Sequence, residues 1–446
     1  MYTPNDEAVL TASAVNTSPR ATSPSRIGFG AWFMLFMLVM VYAVNIADRY
    51  VLSTLIEPLK HDLNLSDTSV GFLTGVTLAV FYVTAGIPMG VLADKVNRKR
   101  LTAACIGLWS GMTVLCGLSQ TYWQFAVARI GVGVGEAGST PSSHSMIADR
   151  FPPHLRATAF TIWGIGACLG AWLGGSGAAW LVNEHGWRGT LVIFGLAGLP
   201  VAALLWLLVR EPTRGLHDIT RSQEQSTIKS TLQFTLGQRA LIHVLIGTTV
   251  LTYWGWGLIW WTPSFLVRSH GLTVSDAGAM LGSIHGVGGL VAMLVTALIM
   301  SNSKLSAEFQ ARFVGWVTLV GSCATLLIFS LDDLPRVELL LWVFIPAIYI
   351  YLGPTSALLQ NLVKSSMRGK IVALMLFAAN ITNLVLAPLL IGFLSDTVAE
   401  HIPDPQNSLK YVLFVMAFTG FWAGYHYLRC TRYLRQDMIA AGAIAE

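Results

Sequence analysis

Charged residues are scarce in this chain of 446 residues, because 28 Lys and Arg together with 23 Asp and Glu make up only 11% of it. A soluble protein of this length carries about 25% charged residues. Apolar residues reach 54% and the mean hydropathy is +0.60, so too little polar surface is left to cover a water-exposed fold. This composition excludes a soluble enzyme and a nucleic-acid-binding protein, and it predicts an integral membrane protein.

Cysteine frameworks and histidine clusters are also lacking. The five cysteines are an odd number and lie in or beside apolar segments, which excludes a disulfide scaffold. The histidines are scattered and give no spacing for a metal set or for an acid/base pair near one membrane face, as at His144, His154, His185 and His285. We therefore predict no metal and no cofactor.

Long apolar runs dominate the rest of the chain. A helix needs about 20 apolar residues to cross lipid, and the runs predict an all-α membrane protein with twelve transmembrane helices. Residues 1–26 are rich in Ser, Thr and Pro and predict a disordered tail. The predicted spans are residues 29–57, 70–93, 101–119, 123–148, 157–183, 190–209, 240–267, 276–300, 309–331, 337–363, 370–395 and 410–430.

One long polar interruption, residues 210–239, divides the predicted spans into two sets of six. We expect a six-helix bundle at 27–209, a cytoplasmic linker at 210–239, a second bundle at 240–430 and a C-terminal tail at 431–446. The sequence Gly138-Ser-Thr-Pro in the fourth span is echoed by Gly353-Pro-Thr-Ser in the tenth. Duplicated halves of this kind place a substrate site between them near the membrane midplane.

The positions of Lys and Arg predict the orientation. With both termini inside, the cytoplasmic segments hold 21 of the 28 cations and the outer loops hold five, with two left within spans. Cytoplasmic loops retain basic residues, so the chain is predicted to be N-in and C-in. The net charge of +5 is then a topology signal and gives no reason to expect nucleic acid. Compact loops suggest a bacterial inner membrane.

Four ionisable residues lie inside predicted spans: Asp48 and Arg49 in the first, and Arg129 and Glu136 in the fourth. At about 1.5 Å per residue, Asp48 lies roughly 15 Å from the outer end, Arg129 roughly 9 Å and Glu136 roughly 20 Å. Arg129 and Glu136 are seven residues apart and share a helix face, whereas Asp48 and Arg49 point in different directions. We predict two crossed pairs, Asp48 with Arg129 and Arg49 with Glu136, facing a cavity.

Buried pairs of this kind can couple transport to protons. A movement that opens or breaks the pair changes whether its carboxylate holds a proton, and intramembrane ionisable groups are functional by default. Two alternatives remain open, a structural ion-pair lock and a hydrated Asp48 near the membrane rim. The sequence also leaves open which of Asp48 and Glu136 carries the proton.

The predicted cytoplasmic loop after the second span carries Gly90, Asp94 and Arg98 within Gly90-Val-Leu-Ala-Asp-Lys-Val-Asn-Arg-Lys-Arg. Its four cations satisfy the topology rule alone. We favour a latch between the halves, in which Asp94 meets the start of the eleventh span, where free N–H groups favour a carboxylate. Arg98 then reaches Asp149 at the end of the fourth span, beside a loop that contains Arg156.

This loop resembles the signature of the major facilitator superfamily, Gly-x-x-x-Asp-(Arg/Lys)-x-x-(Arg/Lys)-(Arg/Lys). Three further stretches, Asn45-x-x-Asp48-Arg49-Tyr50, Gly-Val-Gly-Glu136-Ala and Ile147-Ala-Asp149-Arg-Phe, resemble the spinster family of lipid transporters. The resemblance implies alternating access between two bundles, proton coupling at the four intramembrane charges, and a lysophospholipid or sphingoid phosphate as substrate. The loop 301–312 lacks a second copy of the signature.

The wall of the substrate cavity is predicted from side chains on several helices. Asn45 belongs to the first-span motif. Trp254 and Trp256 lie deep enough in the seventh span to pack on an acyl chain, while His285 suits a packing role as well as a contact. On the eleventh span, Asn380 and Asn383 are plausible donors to a headgroup, or they hold helices together.

These observations predict a proton-coupled secondary transporter, not an enzyme, that moves an amphipathic lipid-like substrate. Its partners are membrane lipids, protons and that small molecule, and we expect a monomer. The first alternative is a proton-coupled symporter of small organic anions such as sugar acids, which predicts more cations and amides than aromatics in the cavity. The second is a membrane-embedded enzyme, for which the scattered histidines give no site.

Overall fold

The computed structural model describes residues 28–214, 227–301 and 306–443. Every regular element within these ranges is helical, as predicted. The predicted N-terminal tail, 1–26, lies outside the described residues.

The helices of the first half follow one another with short connections. Two five-residue π-helical turns, Phe72–Val76 and Leu173–Gly177, interrupt otherwise α-helical rods. The α-helices are α1 (Phe29–Thr54), α2 (Ile56–Leu63), α3 (Asp67–Gly71), α4 (Thr77–Lys95), α5 (Arg98–Leu118), α6 (Tyr122–Glu136), α7 (Ser139–Arg150), α8 (Pro153–Trp172) and α9 (Ala178–Leu208).

The remaining helices begin with α10 in the predicted linker. Two six-residue π-helical turns, Ile284–Gly289 and Ile381–Leu386, lie within the later rods, and 3₁₀ turns cover Ser365–Met367 and Pro405–Asn407. The α-helices are α10 (Ile228–Leu236), α11 (Arg239–His270), α12 (Val274–Ser283), α13 (Leu290–Met300), α14 (Ala307–Ile328), α15 (Leu334–Ile350), α16 (Leu352–Asn361), α17 (Arg368–Asn380), α18 (Ala387–Ala399), α19 (Ser408–Ala417), α20 (Thr419–Cys430) and α21 (Leu434–Ala440).

Nine helices among the described residues are long and apolar enough to cross a membrane. The predicted spans 123–148 and 410–430 are not among them, because the first is divided between Glu136 and Ser139 and the second at Phe418, so that each consists of two short helices. The predicted spans 157–183 and 190–209 fall in one continuous stretch, Thr158–Leu208. That stretch changes direction at Gly186, whose φ of 61° and ψ of −178° suit glycine.

Buried apolar side chains form two clusters. One is drawn from residues between Ala31 and Val209. The other is drawn from residues between Ala240 and Leu434, with Ile56, Val70 and Cys168 added from the first part of the chain. Each part of the chain therefore buries most of its apolar surface against itself.

Small residues allow the helices to approach closely where they cross. A Cβ on Gly170 would lie 2.5 Å from the carbonyl oxygen of Ala43, and one on Gly174 would lie 2.6 Å from that of Ala47, so α8 and the π turn after it contact the α1 backbone directly. A Cβ on Gly71 would similarly meet the Pro388 carbonyl oxygen at 2.4 Å. Such contacts bring helix backbones together in lipid.

The predicted linker and C-terminal tail both contain helix. In the linker, Thr227 and Ser230 form a capping box at the start of α10, and residues 215–226 lie outside the described part. In the tail, the Asp437 carboxylate of α21 accepts the backbone N–H of Ala240 at 2.5 Å. The tail thus caps the first turn of α11.

Candidate transport site and outer seam

The first intramembrane ion pair joins α1 to α6. Arg49 donates to Glu136 Oε2 from Nε at 3.0 Å and from Nη2 at 2.5 Å. The spacing of both residues in the sequence predicted this pair, and the structure confirms the contact. The Glu136 side chain is fully buried, whereas 15% of the Arg49 side chain is exposed.

The second pair lies deeper between helices. Arg129 Nη1 donates to Asp48 Oδ2 at 3.2 Å, and Thr113 of α5 donates to Asp48 Oδ1 at 2.5 Å. This contact was predicted as well. The expectation that both pairs face a cavity needs correction, because the side chains of Arg129 and Asp48 are only 2% and 5% exposed. Packing of α5 against them encloses this pair.

Three of these buried groups retain polar atoms with no hydrogen-bond partner among the described residues. They are Glu136 Oε1, Arg129 Nε and Nη2, and Asn45 Nδ2. A buried polar atom without a partner is costly and needs an explanation. Glu136 accepts both bonds from Arg49 on one oxygen, so its other oxygen is free to carry a proton.

An aromatic ring contacts Arg49, and further aromatic rings lie along the same helix. Its guanidinium lies over the Tyr82 ring, 5.0 Å from the centroid. Tyr42 lies seven residues before Arg49 on α1, and its ring stacks on that of Trp163 of α8 with the ring centroids 4.0 Å apart. His144 contacts the other edge of Trp163, with ring centroids 4.6 Å apart. The surface beside the first ion pair is therefore aromatic.

His285 lies at a contact between the two parts of the chain. It is 1% exposed, its Nδ1 is 2.9 Å from the Tyr349 hydroxyl, and its ring contacts Tyr50 of α1 edge-on at 4.9 Å. Of the two roles the sequence left open, this structure gives His285 the packing role. Any contact with a substrate stays a prediction for a state in which Tyr50 moves away.

The two tryptophans assigned to the cavity wall differ in their surroundings. Trp254 is 1% exposed, donates from Nε1 to Thr325 at 3.2 Å and packs edge-on against Phe344, so its assignment to a cavity wall is wrong for this structure. The sequence shows that it lies in the membrane but not which side of α11 faces inward. Trp256 is partly buried and contacts the Tyr349 ring at 5.4 Å.

The two asparagines of the eleventh predicted span lie at a π-helical turn. Asn380 ends α17 and Asn383 lies within the turn Ile381–Leu386, and both are partly buried. The wider turn separates the directions of these side chains more than a regular α-helix would. Asn383 Oδ1 has no partner among the described residues, so a headgroup contact there stays a prediction.

At the ends predicted to be cytoplasmic, Arg98 forms the centre of an ion network. It bonds the Asp149 carboxylate, as predicted, and also Glu211 Oε1 at 2.8 Å and the Pro212 carbonyl at 2.9 Å. All of these partners belong to the first half or the start of the linker. Arg156 donates to the carbonyl of Phe151 at 3.1 Å.

The other two predicted gate residues belong to α4. A Cβ on Gly90 would meet no atom within 4 Å. The side chain of Asp94 lies outside the described residues. A latch between Asp94 and the eleventh span therefore stays a prediction.

At the opposite ends of the helices, a second ion network joins the two halves. Arg268 of α11 binds Asp67 of α3 through two parallel bonds of 2.7 Å, and its Nε donates to Glu57 at 2.9 Å. Asp396 of α18 accepts the backbone N–H groups of Asp67 and Thr68 at 2.9 and 2.8 Å. We call these five residues the outer seam.

Sequence reasoning missed the outer seam. Arg268 was counted only as an outer-loop cation in the topology argument, and Asp67 and Asp396 lie at helix ends, where charges are ordinary. In the structure the Asp67 side chain is only 3% exposed, although Asp67 begins a helix. From sequence, a serine N-cap followed by Asp67 indicated nothing beyond a helix start.

Comparison with known proteins identifies the class. Residues 38–387 match the model of the Major Facilitator Superfamily. An MFS-type efflux pump of Mycolicibacterium smegmatis is 30% identical over 419 residues, which cover 92% of this chain and 94% of that protein. The chain therefore belongs to the Major Facilitator Superfamily of transporters.

Within the superfamily, the similarity to spinster proteins predicted from the motifs is confirmed. Protein spinster of Drosophila melanogaster is 28% identical over 66% of this chain and 49% of its own length. The solved structure of a bacterial homologue of the human lysosomal transporter spinster, described as inward-facing and unoccupied, matches the fold with a TM-score of 0.79. It is 24% identical over 92% of this chain and 98% of that chain.

Two further relatives are named for their substrates. The sphingosine-1-phosphate transporter SPNS2 of Danio rerio is 24% identical over 88% of this chain and 82% of its own length. The probable galactarate/D-glucarate transporter GudP of Bacillus subtilis is 27% identical over 61% of this chain and 66% of its own length.

Proposed function

We propose that this protein is a proton-coupled secondary transporter that works by alternating access and moves an amphipathic, lipid-like substrate. It crosses a bacterial inner membrane twelve times as a monomer, with both termini in the cytoplasm. The observation that carries the proposal is the Arg49–Glu136 pair, in which a fully buried carboxylate is held by a partly exposed guanidinium.

The helix bounds support the proposal of twelve crossings. The stretch Thr158–Leu208 serves as two crossings because the chain turns at Gly186. The rods α6–α7 and α19–α20 add the two crossings that contain polar residues or a break. Two bundles of six, 27–209 and 240–430, then correspond to the two apolar clusters, with 210–239 as their linker.

Alternating access is supported by the uneven distribution of contacts between the halves. At the outer ends, Arg268 and Asp396 from the second half bind Asp67 from the first. At the cytoplasmic ends, Arg98 binds partners from its own half and from the linker. A network that joins the halves at the outer ends, together with Arg98 partners that lie in one half and the linker among the described residues, supports an inward-facing state. Movement to the outward-facing state requires the outer seam to open.

The coupling step begins with the carboxylate. In the structure, both bonds from Arg49 end on Glu136 Oε2. A proton bound on Oε1 removes the negative charge that holds Arg49, and the guanidinium then gains freedom to bind an anionic group of the substrate. Loss of the proton restores the pair and expels that group. The ionised Glu136 carboxylate and the substrate anion therefore bind Arg49 in alternation, and the proton is bound on Glu136 while the substrate anion is bound on Arg49.

The second pair has a positioning role in this mechanism. Asp48 ties α1 to α5 through Thr113 and to α6 through Arg129. Because it is enclosed, it holds α1 and α6 at the separation that lets Arg49 reach Glu136. Replacing Asp48 leaves the buried Arg129 without a counter-charge, which is strongly destabilising.

The substrate class is inferred from the surroundings of Arg49. A single cation next to the stacked rings of Tyr42 and Trp163 suits a molecule with an anionic head and an apolar body. The similarity to a sphingosine-1-phosphate transporter supports a lysophospholipid or sphingoid phosphate. The similarity to a galactarate/D-glucarate transporter supports the alternative, a sugar-acid symporter, in which Arg49 binds a carboxylate.

We propose a cytoplasmic gate on the basis of the loop signature. It consists of Gly90, Asp94, Arg98, Asp149 and Arg156. Arg98 and Asp149 already form an ion pair. In the outward-facing state, we propose that Asp94 moves against the first turn of α17 and closes the cytoplasmic side.

Uptake into proteoliposomes tests the function. With an imposed pH gradient, Glu136→Gln is expected to lose at least about tenfold of the uptake rate, because the neutral amide cannot exchange a proton. Glu308→Gln is the matched control, since Glu308 is an exposed carboxylate at the start of α14. Gradient-driven uptake of Glu136→Gln at the rate of the control would overturn the proposal.

Competition separates the two substrate classes. A labelled lysophospholipid is offered with excess galactarate or with excess unlabelled sphingoid phosphate. We expect only the lipid competitor to reduce uptake. Inhibition by galactarate alone would support the sugar-acid symporter instead.

A further inference from the structure

An apolar groove on the second half of the protein lies apart from the ion pairs described above. It runs between α11, the rod of α17 and α18, and α20, and it has a volume of about 560 Å³. Its lining includes Ile246, Thr249, Ala378, Thr382 and Trp422. No charged side chain lines it within the part of the chain that the structure describes.

The hydroxyl groups of Thr382, Thr419 and Tyr253 in the groove wall donate to protein acceptors. Thr382 donates to the carbonyls of Ala378 and Ala379 at 3.0 Å, and Thr419 donates to Met416 at 2.6 Å. The wall therefore offers hydrocarbon rather than hydrogen bonds. Leu386 and Trp422 at its mouth are 45% and 55% exposed, so the groove opens on the surface that faces lipid in a membrane-spanning chain.

Two arginines lie below the groove on the same helix faces. Arg239 is seven residues before Ile246 on α11, and Arg429 is seven residues after Trp422 on α20. Seven residues are two helical turns, or about 10 Å, so each arginine projects from the face that lines the groove. Both guanidiniums lie over the Tyr433 ring, 5.6 and 5.8 Å from its centroid.

Neither arginine forms an ion pair within 4 Å among the described residues. Asp437 interacts with Arg239 electrostatically, but its carboxylate already accepts the Ala240 N–H. Between the arginines and the groove, His243 and His426 bond each other through their Nδ1 atoms at 2.8 Å. The Trp422 ring contacts His426 at 5.9 Å and makes the polar and apolar parts continuous.

We propose that this groove binds one acyl chain of an anionic membrane phospholipid, whose phosphate is held by Arg239 and Arg429. Basic pockets between transmembrane helices on the cytoplasmic side recognise anionic headgroups in this way. The apolar wall supplies affinity without chain specificity, and the two guanidiniums select the charge of the head. The site requires only that the protein spans a membrane, so it does not depend on the proposed transport mechanism.

Thermal unfolding of the purified full chain in detergent tests the site. Phosphatidylglycerol is expected to raise the Tm at concentrations at which phosphatidylcholine does not, because the headgroup carries the selectivity. In Arg239→Gln/Arg429→Gln, the half-saturating phosphatidylglycerol concentration should rise about 25-fold, since each cation near an anionic lipid contributes roughly fivefold. Equal responses to both lipids in the wild type would overturn the proposal.

Two further variants control for nonspecific loss of charge and for misfolding. Arg312→Gln is the matched control, because Arg312 is an exposed arginine at the start of α14 and should keep the wild-type response. If the double variant does not fold, Arg239→Gln alone replaces it, since Arg239 is exposed. A phosphatidylglycerol response unchanged by loss of these arginines would place the headgroup elsewhere and contradict the assignment.

A bulky side chain in the groove tests whether the groove binds the acyl chain. Ala378→Phe should remove one retained phosphatidylglycerol molecule in native mass spectrometry and leave uptake of lysophospholipid intact. Retention equal to that of the wild type would overturn the groove as the acyl site. Loss of uptake with unchanged retention would also overturn it, because the groove would then belong to the transported substrate.

Discussion

The charged networks at the two ends of the helix bundles differ in what they connect. At the ends proposed to face outward, Arg268 of the second half is bound through both terminal nitrogens to Asp67 of the first. At the ends proposed to be cytoplasmic, Arg98 binds Asp149 and Glu211, and its partners among the described residues lie in the first half and its linker. Among the described residues, the Arg268 pairs therefore connect the two halves, whereas the Arg98 pairs lie within one half and the linker.

Breaking the outer seam at its central cation should have the largest effect. Arg268→Gln leaves Asp67 buried without its main counter-charge, a loss of about 3 kcal/mol or more. Spin labels are attached to cysteines that replace His61 and His401, two exposed residues near the outer ends. We expect the distance between the two labels, measured by double electron–electron resonance, to increase. The labels require a Cys323→Ser background, because Cys323 is exposed. Unchanged distances would show that Arg268 does not hold the outer side closed.

Removing one charge from the same seam should have a smaller effect in the same direction. Asp396→Asn keeps one acceptor for the backbone of α3 but loses charge-assisted bonds to Asp67 and Thr68, at a cost of about 1–2 kcal/mol. A partial shift of the same label pair is expected. Asp404→Asn, which alters an exposed cap of a short 3₁₀ turn, is the control and should give no shift. A shift as large in the control would remove Asp396 from the seam.

A substitution in the Arg98 network is expected to leave the outer ends unchanged. Glu211→Gln weakens its contacts with Arg98 and with the Lys99 N–H and is expected to cost about 1 kcal/mol of stability. Because those contacts lie within one half, the outer label distance should stay at the wild-type value. A longer outer distance would indicate that the cytoplasmic network also ties the halves together.

The smallest effect is expected at an exposed pair. Lys410 bonds Asp332 at 2.5 Å and lowers the pKa of that carboxyl, but the Asp332 side chain is 89% exposed. Water screens such a pair. Lys410→Gln should therefore leave both the Tm and the label distances unchanged, and a clear loss of stability would mean that this outer contact has been undervalued.

Much of the candidate site was predictable because intramembrane charges are rare. The seven-residue spacing of Arg129 and Glu136 and their depths relative to Asp48 were enough to predict both crossed pairs, and the loop signature was enough to pair Arg98 with Asp149. Depth in a span does not give direction, so the burial of Trp254 inside the second half was missed. The enclosure of Asp48 by α5 depends on tertiary packing that no local pattern records.

The outer seam and the π-helical turns were not predicted from the sequence. Asp67, Arg268 and Asp396 are distant in the chain, and each one alone is an ordinary charge at a helix end. The sequence also gives no signal for the π-helical turn Ile381–Leu386, because the apolar residues of the turn continue the periodicity of the helix around it. Both features arise where the two halves meet, for example where α3 crosses the rod of α17 and α18 at Gly71 and Pro388.

The most direct test of the central claim is the number of protons moved per substrate molecule. Proteoliposomes without an imposed gradient are loaded with a pH-sensitive dye, and a lysophospholipid is added outside. The wild type should change the internal pH as substrate enters, while Glu136→Gln should exchange labelled for unlabelled substrate and move no protons. A proton flux per substrate in Glu136→Gln equal to that of the wild type would contradict the assignment of proton coupling to the Arg49–Glu136 pair.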